Sequence, residues 1–111
     1  MNENKEIKDK IPKRYFRVKN QYPDVFSAYD ELNNAVQNAG PLDEKTKALI
    51  KLAFSTGARL EGGIASHSRK AAKAGANSEE LRQVAVMSLP TIGFPSMMAA
   101  LKVVEEVIEN K

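Results

Sequence analysis

The stretch Leu60-Glu61-Gly62-Gly63-Ile64-Ala65-Ser66-His67-Ser68-Arg69-Lys70-Ala71-Ala72-Lys73-Ala74-Gly75 decides how this chain is read. From Ile64 to Ala74 it is rich in alanine, the best helix former. Gly75 is a natural C-terminal cap, because glycine takes the left-handed conformation without a steric cost. The pair Gly62-Gly63 costs roughly 1 kcal/mol per residue inside a helix, so a break or kink is expected near it.

Helical spacing continues on both sides of this stretch. Upstream, Asp43 is a good N-cap. The helix after it carries an apolar stripe read as Leu49, Ile50, Ala53, Phe54, Gly57 and Leu60, with Lys45, Lys47, Lys51 and Arg59 mostly elsewhere. Further upstream, Pro23 opens a helix with Val25, Phe26, Tyr29, Leu32 and Val36 on one face. Gly40-Pro41 is expected to end it, Gly40 supplying the cap. Residues 11–20 form a shorter, weaker helix with Pro12 in its first turn.

Downstream, Asn77 and Glu80 have the spacing of a capping box. The helix they start carries Leu81, Val84, Ala85 and Leu89, and Pro90 terminates it. After Gly93-Phe94-Pro95 comes a last helix, its stripe read as Met98, Leu101, Val104 (or Val103) and Ile108. Nothing alternates with period two for long enough to make a strand. The expected fold is all-α, a compact bundle of about six helices with short connections. Residues 1–22 are expected as a basic N-terminal segment, a short helix or arm, and residues 23–111 as the helical domain.

At 111 residues the chain suits one domain with a modest core. No run approaches the ~18 apolar residues that span a bilayer, and the charged start MNENKEIKDK lacks the apolar run of a secretory signal. A cytoplasmic protein with no membrane partner is the expectation. The net charge is +3, yet residues 1–20 hold seven basic and three acidic side chains, while the remainder holds ten basic and eleven acidic. A basic end on a near-neutral body, without a nucleic-acid motif, argues against nucleic acid as a partner.

The chain has no cysteine, which excludes disulfides, thiolate metal ligands and thiol nucleophiles. There is a single histidine and no HExxH arrangement, so no metal site is expected. No P-loop or Gly-x-Gly-x-x-Gly is present, so no cofactor is expected either. The chemistry concentrates in residues 60–67. His67 lies three residues after Ile64 and four before Ala71, on an apolar helix face. It reads either as a core or interface histidine, or as a general acid or base titrating near neutral pH. Glu61 reads either as a charge favoured at a helix start or as a pocket residue acting with His67. Six residues apart, the two do not share one face of a continuous helix. Arg59 and Arg69 are candidates for holding an anionic substrate, since guanidinium suits carboxylates.

The order of five segments is more specific than any one of them. These are Leu42 to Ile50, Leu60 to His67, Ala71 to Ala76, Ser78 to Leu81 and Gly93 to Leu101. The series resembles the carboxymuconolactone decarboxylase family, which also contains the alkylhydroperoxidase D-like proteins, over residues 23–109. The resemblance implies an all-helical subunit that assembles as a homotrimer or homohexamer with its site near subunit contacts. Peroxidase-like members carry a Cys-x-x-Cys pair just before the histidine and a relay glutamate in the preceding helix. Here those positions correspond to Leu60, Gly63 and Ala48, and only His67 remains. Thiol peroxidase chemistry is therefore excluded. Decarboxylase-like members do without the pair, and the Gly93-Phe94-Pro95 turn resembles them. That likeness implies action on a small carboxylated lactone or related carboxylate, with His67, and secondarily Glu61, in proton transfer. Arg59 or Arg69 is expected on the substrate from the fit of guanidinium to carboxylate, not from a specific match. The alternative is a non-catalytic oligomer on the same scaffold that binds a ligand or protein partner.

Overall fold

The computed structural model describes residues 11–110. They are helical throughout, with no strand among the described residues. The chain divides into two compact units at Pro41 and Leu42.

The first unit holds α1 (Lys13–Gln21) and α2 (Pro23–Gln37). Proline stands just before the first of these and opens the second, where its missing N–H would be unpaired anyway. Tyr15 meets Phe16 and Phe26 edge-on, at ring-centroid distances of 5.2 and 5.6 Å. Neither helix contains a buried residue. The expected cap at Gly40 is corrected. Helix α2 stops at Gln37, and Asn38 closes it by donating from its side-chain amide to the Asn34 carbonyl at 2.9 Å. An asparagine side chain can bond a helix carbonyl locally, and Gly40 is not left-handed.

The second unit holds α3 (Glu44–Gly57), α4 (Glu61–Lys73), α5 (Ser78–Met87), the single turn α6 (Leu89–Ile92) and α7 (Phe94–Glu109). Helix starts follow the sequence closely. The Asp43 carboxylate accepts from the Thr46 N–H at 2.8 Å. Asn77 and Glu80 form a reciprocal capping box, with bonds of 2.8 and 2.9 Å. The Asn77 N–H bond, ahead of the Lys45 ammonium, holds the Glu80 carboxyl below its usual value.

Helix α4 ends in a double closure: Gly75 donates to the Ala72 carbonyl and Ala76 to the Ala71 carbonyl, with Gly75 left-handed at φ 107°. The end of α3 repeats this pattern with another residue. Arg59 donates to the Thr56 carbonyl and Leu60 to the Ser55 carbonyl, and Arg59 itself is left-handed at φ 59°. Among the described residues it is the one non-glycine with positive φ. A side chain there costs roughly 1 kcal/mol. The expected break is thus realised at residues 58–60. The glycine pair lies inside the first turn of α4.

The core joins α3, α4, α5 and α7 through Leu52, Ile64, Ala71, Leu81, Ala85, Ala100, Val103 and Val104. Small side chains on α4, α5 and α7 let the helix backbones approach closely. Two expected stripes are corrected in part. Leu49 of the α3 stripe packs against the core as expected, but other members do not. On α3 the buried residues are Leu52, Ser55 and Thr56, whereas Phe54 is 70% exposed and Leu60 57% exposed. On α7 the buried face is Met97, Ala100, Val103, Val104 and Val107. Val103 and Val104 stand as expected, Leu101 and Ile108 are partly buried against the core, and Met98 alone of the expected stripe is exposed. Leu89, expected at the end of α5, belongs to the separate turn α6 and is exposed. Arg82 on α5 donates twice to Glu105 on α7, at 3.0 and 3.3 Å, tying those helices at their partly exposed edge.

Candidate functional site

Helix α4 carries most of the expected chemistry, and its close seat on α3 is set by Gly63. A Cβ at Gly63 would fall 2.7 Å from the Ser55 Oγ and 3.2 Å from its Cβ. Ser55 is buried, so α4 can lie this near α3 only with glycine at residue 63. Helix α4 itself presents residues 61 and 67 on different sides, since six steps of 100° leave them 120° apart around the axis.

The candidate residues divide accordingly. Glu61 and Arg59 line one open groove between α3, α4 and α7, together with Thr56, Ile64, Pro95, Ser96, Ala99, Ala100, Lys102 and Val103. The groove has a volume of about 350 Å³. Arg59 reaches α7 by donating its Nε to the Ser96 Oγ at 2.9 Å. Its left-handed backbone turns the chain from α3 into α4 at this point. Ser96 and Lys102 were not singled out by sequence reasoning. Ser96 lies 37 residues from Arg59, so only the packing of α7 brings them together.

His67 is not among the residues lining that groove. It is half-buried, and its Nδ1 is buried with no hydrogen-bond partner among the described residues. Burial, followed by the positive charges of Lys70 and Lys51, lowers its pKa below 6.5. The shift favours the neutral imidazole. Lys70 is lowered in turn by desolvation and by the charges of Lys51 and Arg69. Burial also lowers Arg69. Although Lys70 is desolvated by its surroundings, its side chain stays exposed, and water screens much of what these charges do to one another. His67 and Arg69 thus belong to a cationic cluster with Lys51 and Lys70, while Arg59 and Glu61 belong to the groove. The adjacent Ser68 is fully buried, and its Oγ also lacks a partner.

Among the described residues, no group of three or more His, Asp or Glu side chains is placed to hold a metal ion. No described helix is long and apolar enough to cross a membrane.

Comparison with known proteins gives these positions a context. An uncharacterized protein of Methanocaldococcus jannaschii is 32% identical over 90 residues, covering 80% of this chain and 86% of the relative. An uncharacterized protein of Haemophilus influenzae is 36% identical over 67 residues, covering 60% of this chain and 59% of that relative. No solved structure matches the chain. The model of the carboxymuconolactone decarboxylase family matches residues 23–106, which contain the α3–α4 junction, the Gly63 contact and His67. With that match over most of its length, and with no cysteine at residues 60 and 63, the chain belongs to the carboxymuconolactone decarboxylase family as a member without the cysteine pair.

Proposed function

We propose that this protein is a cofactor-independent decarboxylase-like enzyme acting on a small carboxylated lactone or related carboxylate, with His67 transferring the proton. The observation that carries this reading is the half-buried His67, its Nδ1 without a protein partner among the described residues, in surroundings where burial and the charges of Lys70 and Lys51 lower its pKa. Ammonium groups attract the carboxylate of the substrate and stabilise the negative charge that develops as the reaction proceeds. When the bond to the carboxyl carbon breaks, carbon dioxide leaves and the electron pair stays on the ring carbon, spread towards the lactone carbonyl. That carbanion then needs one proton. A histidine of lowered pKa, once it has taken a proton from solvent, is the stronger donor. Arg69 adds positive charge to the same cluster.

Self-association belongs to this reading. Val25, Tyr29, Leu32 and Val36 on α2 and, separately, Phe54, Met87 and Phe94 in the second unit are exposed. Large apolar side chains in such number on a small chain are better accommodated against further copies.

The test offers 4-carboxymuconolactone and related carboxylated lactones to the native protein and to His67→Gln. Turnover by the native protein that drops at least a hundredfold in the variant supports the reading. Equal turnover in both removes His67 from the mechanism.

The second reading is a non-catalytic, ligand-binding oligomer. The bare Nδ1 of His67 favours it, because a catalytic histidine is ordinarily oriented by a third group. Absence of turnover on all the lactones, together with a well-defined oligomer by light scattering, selects this second reading.

A further inference from the structure

The groove lined by Arg59 and Glu61 has no part in the His67 chemistry proposed above, yet it has the makings of a site. We propose that it binds a small organic acid, whose carboxylate docks on the Arg59 guanidinium.

The first argument is the backbone. Residue 59 closes α3 in the left-handed conformation, at φ 59°. The equivalent closure of α4 uses glycine, Gly75, which takes that conformation freely. Arginine stands at residue 59 against this steric preference, and an observed strain of this kind points to a use for the side chain. Nothing in the turn itself needs it, since the closing bonds run between backbone atoms.

The second argument is orientation. The Arg59 Nε donates to the Ser96 Oγ at 2.9 Å, which ties the guanidinium to the first turn of α7. The terminal nitrogens have no protein partner among the described residues. A fixed guanidinium whose end is unoccupied suits the two oxygens of a carboxylate.

The third argument is the chemistry of the walls. Ile64, Ala99, Ala100 and Val103 offer apolar surface, Lys102 adds a second cation, and Glu61 supplies an acceptor. Two cations and one carboxylate favour a ligand of net negative charge. Glu61 further favours one that carries a hydroxyl or ammonium donor beside its carboxylate. A volume of about 350 Å³ lies at the lower end of small-molecule sites.

The experiment is a titration of the full-length, ¹⁵N-labelled protein with benzoate, 4-hydroxybenzoate and 3-hydroxybutyrate. Each acid is paired with its neutral amide, and inorganic phosphate is run alongside. At least one acid is expected to shift the Arg59, Ser96 and Ala99 amides saturably, with its amide binding at least tenfold more weakly. Arg59→Gly is expected to weaken that binding at least tenfold while melting no lower than the native protein, because glycine relieves the strained backbone. Arg59→Lys keeps the charge, loses the fork and the Ser96 bond, and is expected to weaken binding severalfold. It also serves as the readout if the glycine variant does not fold. Four results would overturn the proposal. These are no saturable response to any acid, equal response to acid and amide, undiminished binding by both variants, and saturation by phosphate alone. A response centred on His67 and Lys70 would also overturn it, by assigning the acid to the other face of α4. Since binding rather than turnover is read, failure here leaves the His67 reading untouched.

Discussion

Gly63 lies against Ser55 so closely that a Cβ on the glycine would stand 2.7 Å from the serine Oγ. This contact sets the distance between α3 and α4, the pair on which both candidate sites depend. It also bears on the missing thiols. Residue 63 is the second position at which peroxidase-like relatives would carry cysteine, and in this chain any side chain there collides with a buried neighbour. Gly63→Ala is expected to destabilise the fold by roughly 1–3 kcal/mol, the usual cost of overpacking a tight contact. Urea unfolding measures it. Ser55→Gly in the same chain should restore part of the loss, because it removes the atoms that the new methyl meets.

Ser68 is fully buried, and its hydroxyl bonds to nothing among the described residues. Removing a buried polar group without a partner removes a desolvation cost of roughly 1–3 kcal/mol. Ser68→Ala is therefore expected to leave the fold as stable or to raise its melting temperature. A clear drop would mean that the hydroxyl has a partner.

His67 gives stability a pH dependence whose sign follows from its environment. Its folded pKa lies below 6.5, depressed by burial and then by Lys70 and Lys51. On acidification the unfolded chain takes up the proton first, so acid favours the unfolded state. The stability conferred by the neutral imidazole is complete above pH 6.5 and is lost as pH falls from there towards the folded pKa. Thermal melts between pH 7.5 and 5.5 should show a declining midpoint in the native protein and a flatter profile in His67→Gln. Asp43 and Glu80, both held below the usual carboxylate values, stay ionised across this window and do not confuse the comparison.

Met97 and Met98 distinguish the true core register of α7. Met97 is 6% exposed and Met98 46% exposed. Met97→Ala should cost roughly 2–5 kcal/mol, as other buried truncations do. Met98→Ala should cost under about 1 kcal/mol. Equal losses in urea unfolding would show that the register is wrong.

Much of the fold was legible because helix ends are local. Asp43 and Thr46, or Asn77 and Glu80, lie three residues apart, so their bonds follow from sequence spacing. The cap at Gly75 follows from a steric property of one residue. At Gly40 the same rule failed, because α2 already stops at Gln37, where Asn38 donates to the Asn34 carbonyl. Faces were harder to read. Apolar residues crowd both sides of Leu52 and of Met97, and a 3.6-residue period does not separate neighbouring positions until the partner helices are known.

The sequence by itself determined that this chain is helical, where most of its helices begin, and that cysteine redox chemistry is closed to it. It also singled out His67, Glu61, Arg59 and Arg69. Only the tertiary structure decided how these four divide. Glu61 and Arg59 share a groove because α7 brings Ser96 and Lys102 to them, and His67 and Arg69 share charges with Lys51 and Lys70. The reason is physical. Caps and turns are settled within a few residues along the chain, whereas a site is assembled from helices far apart in sequence, whose approach depends on contacts such as that of Gly63 with Ser55.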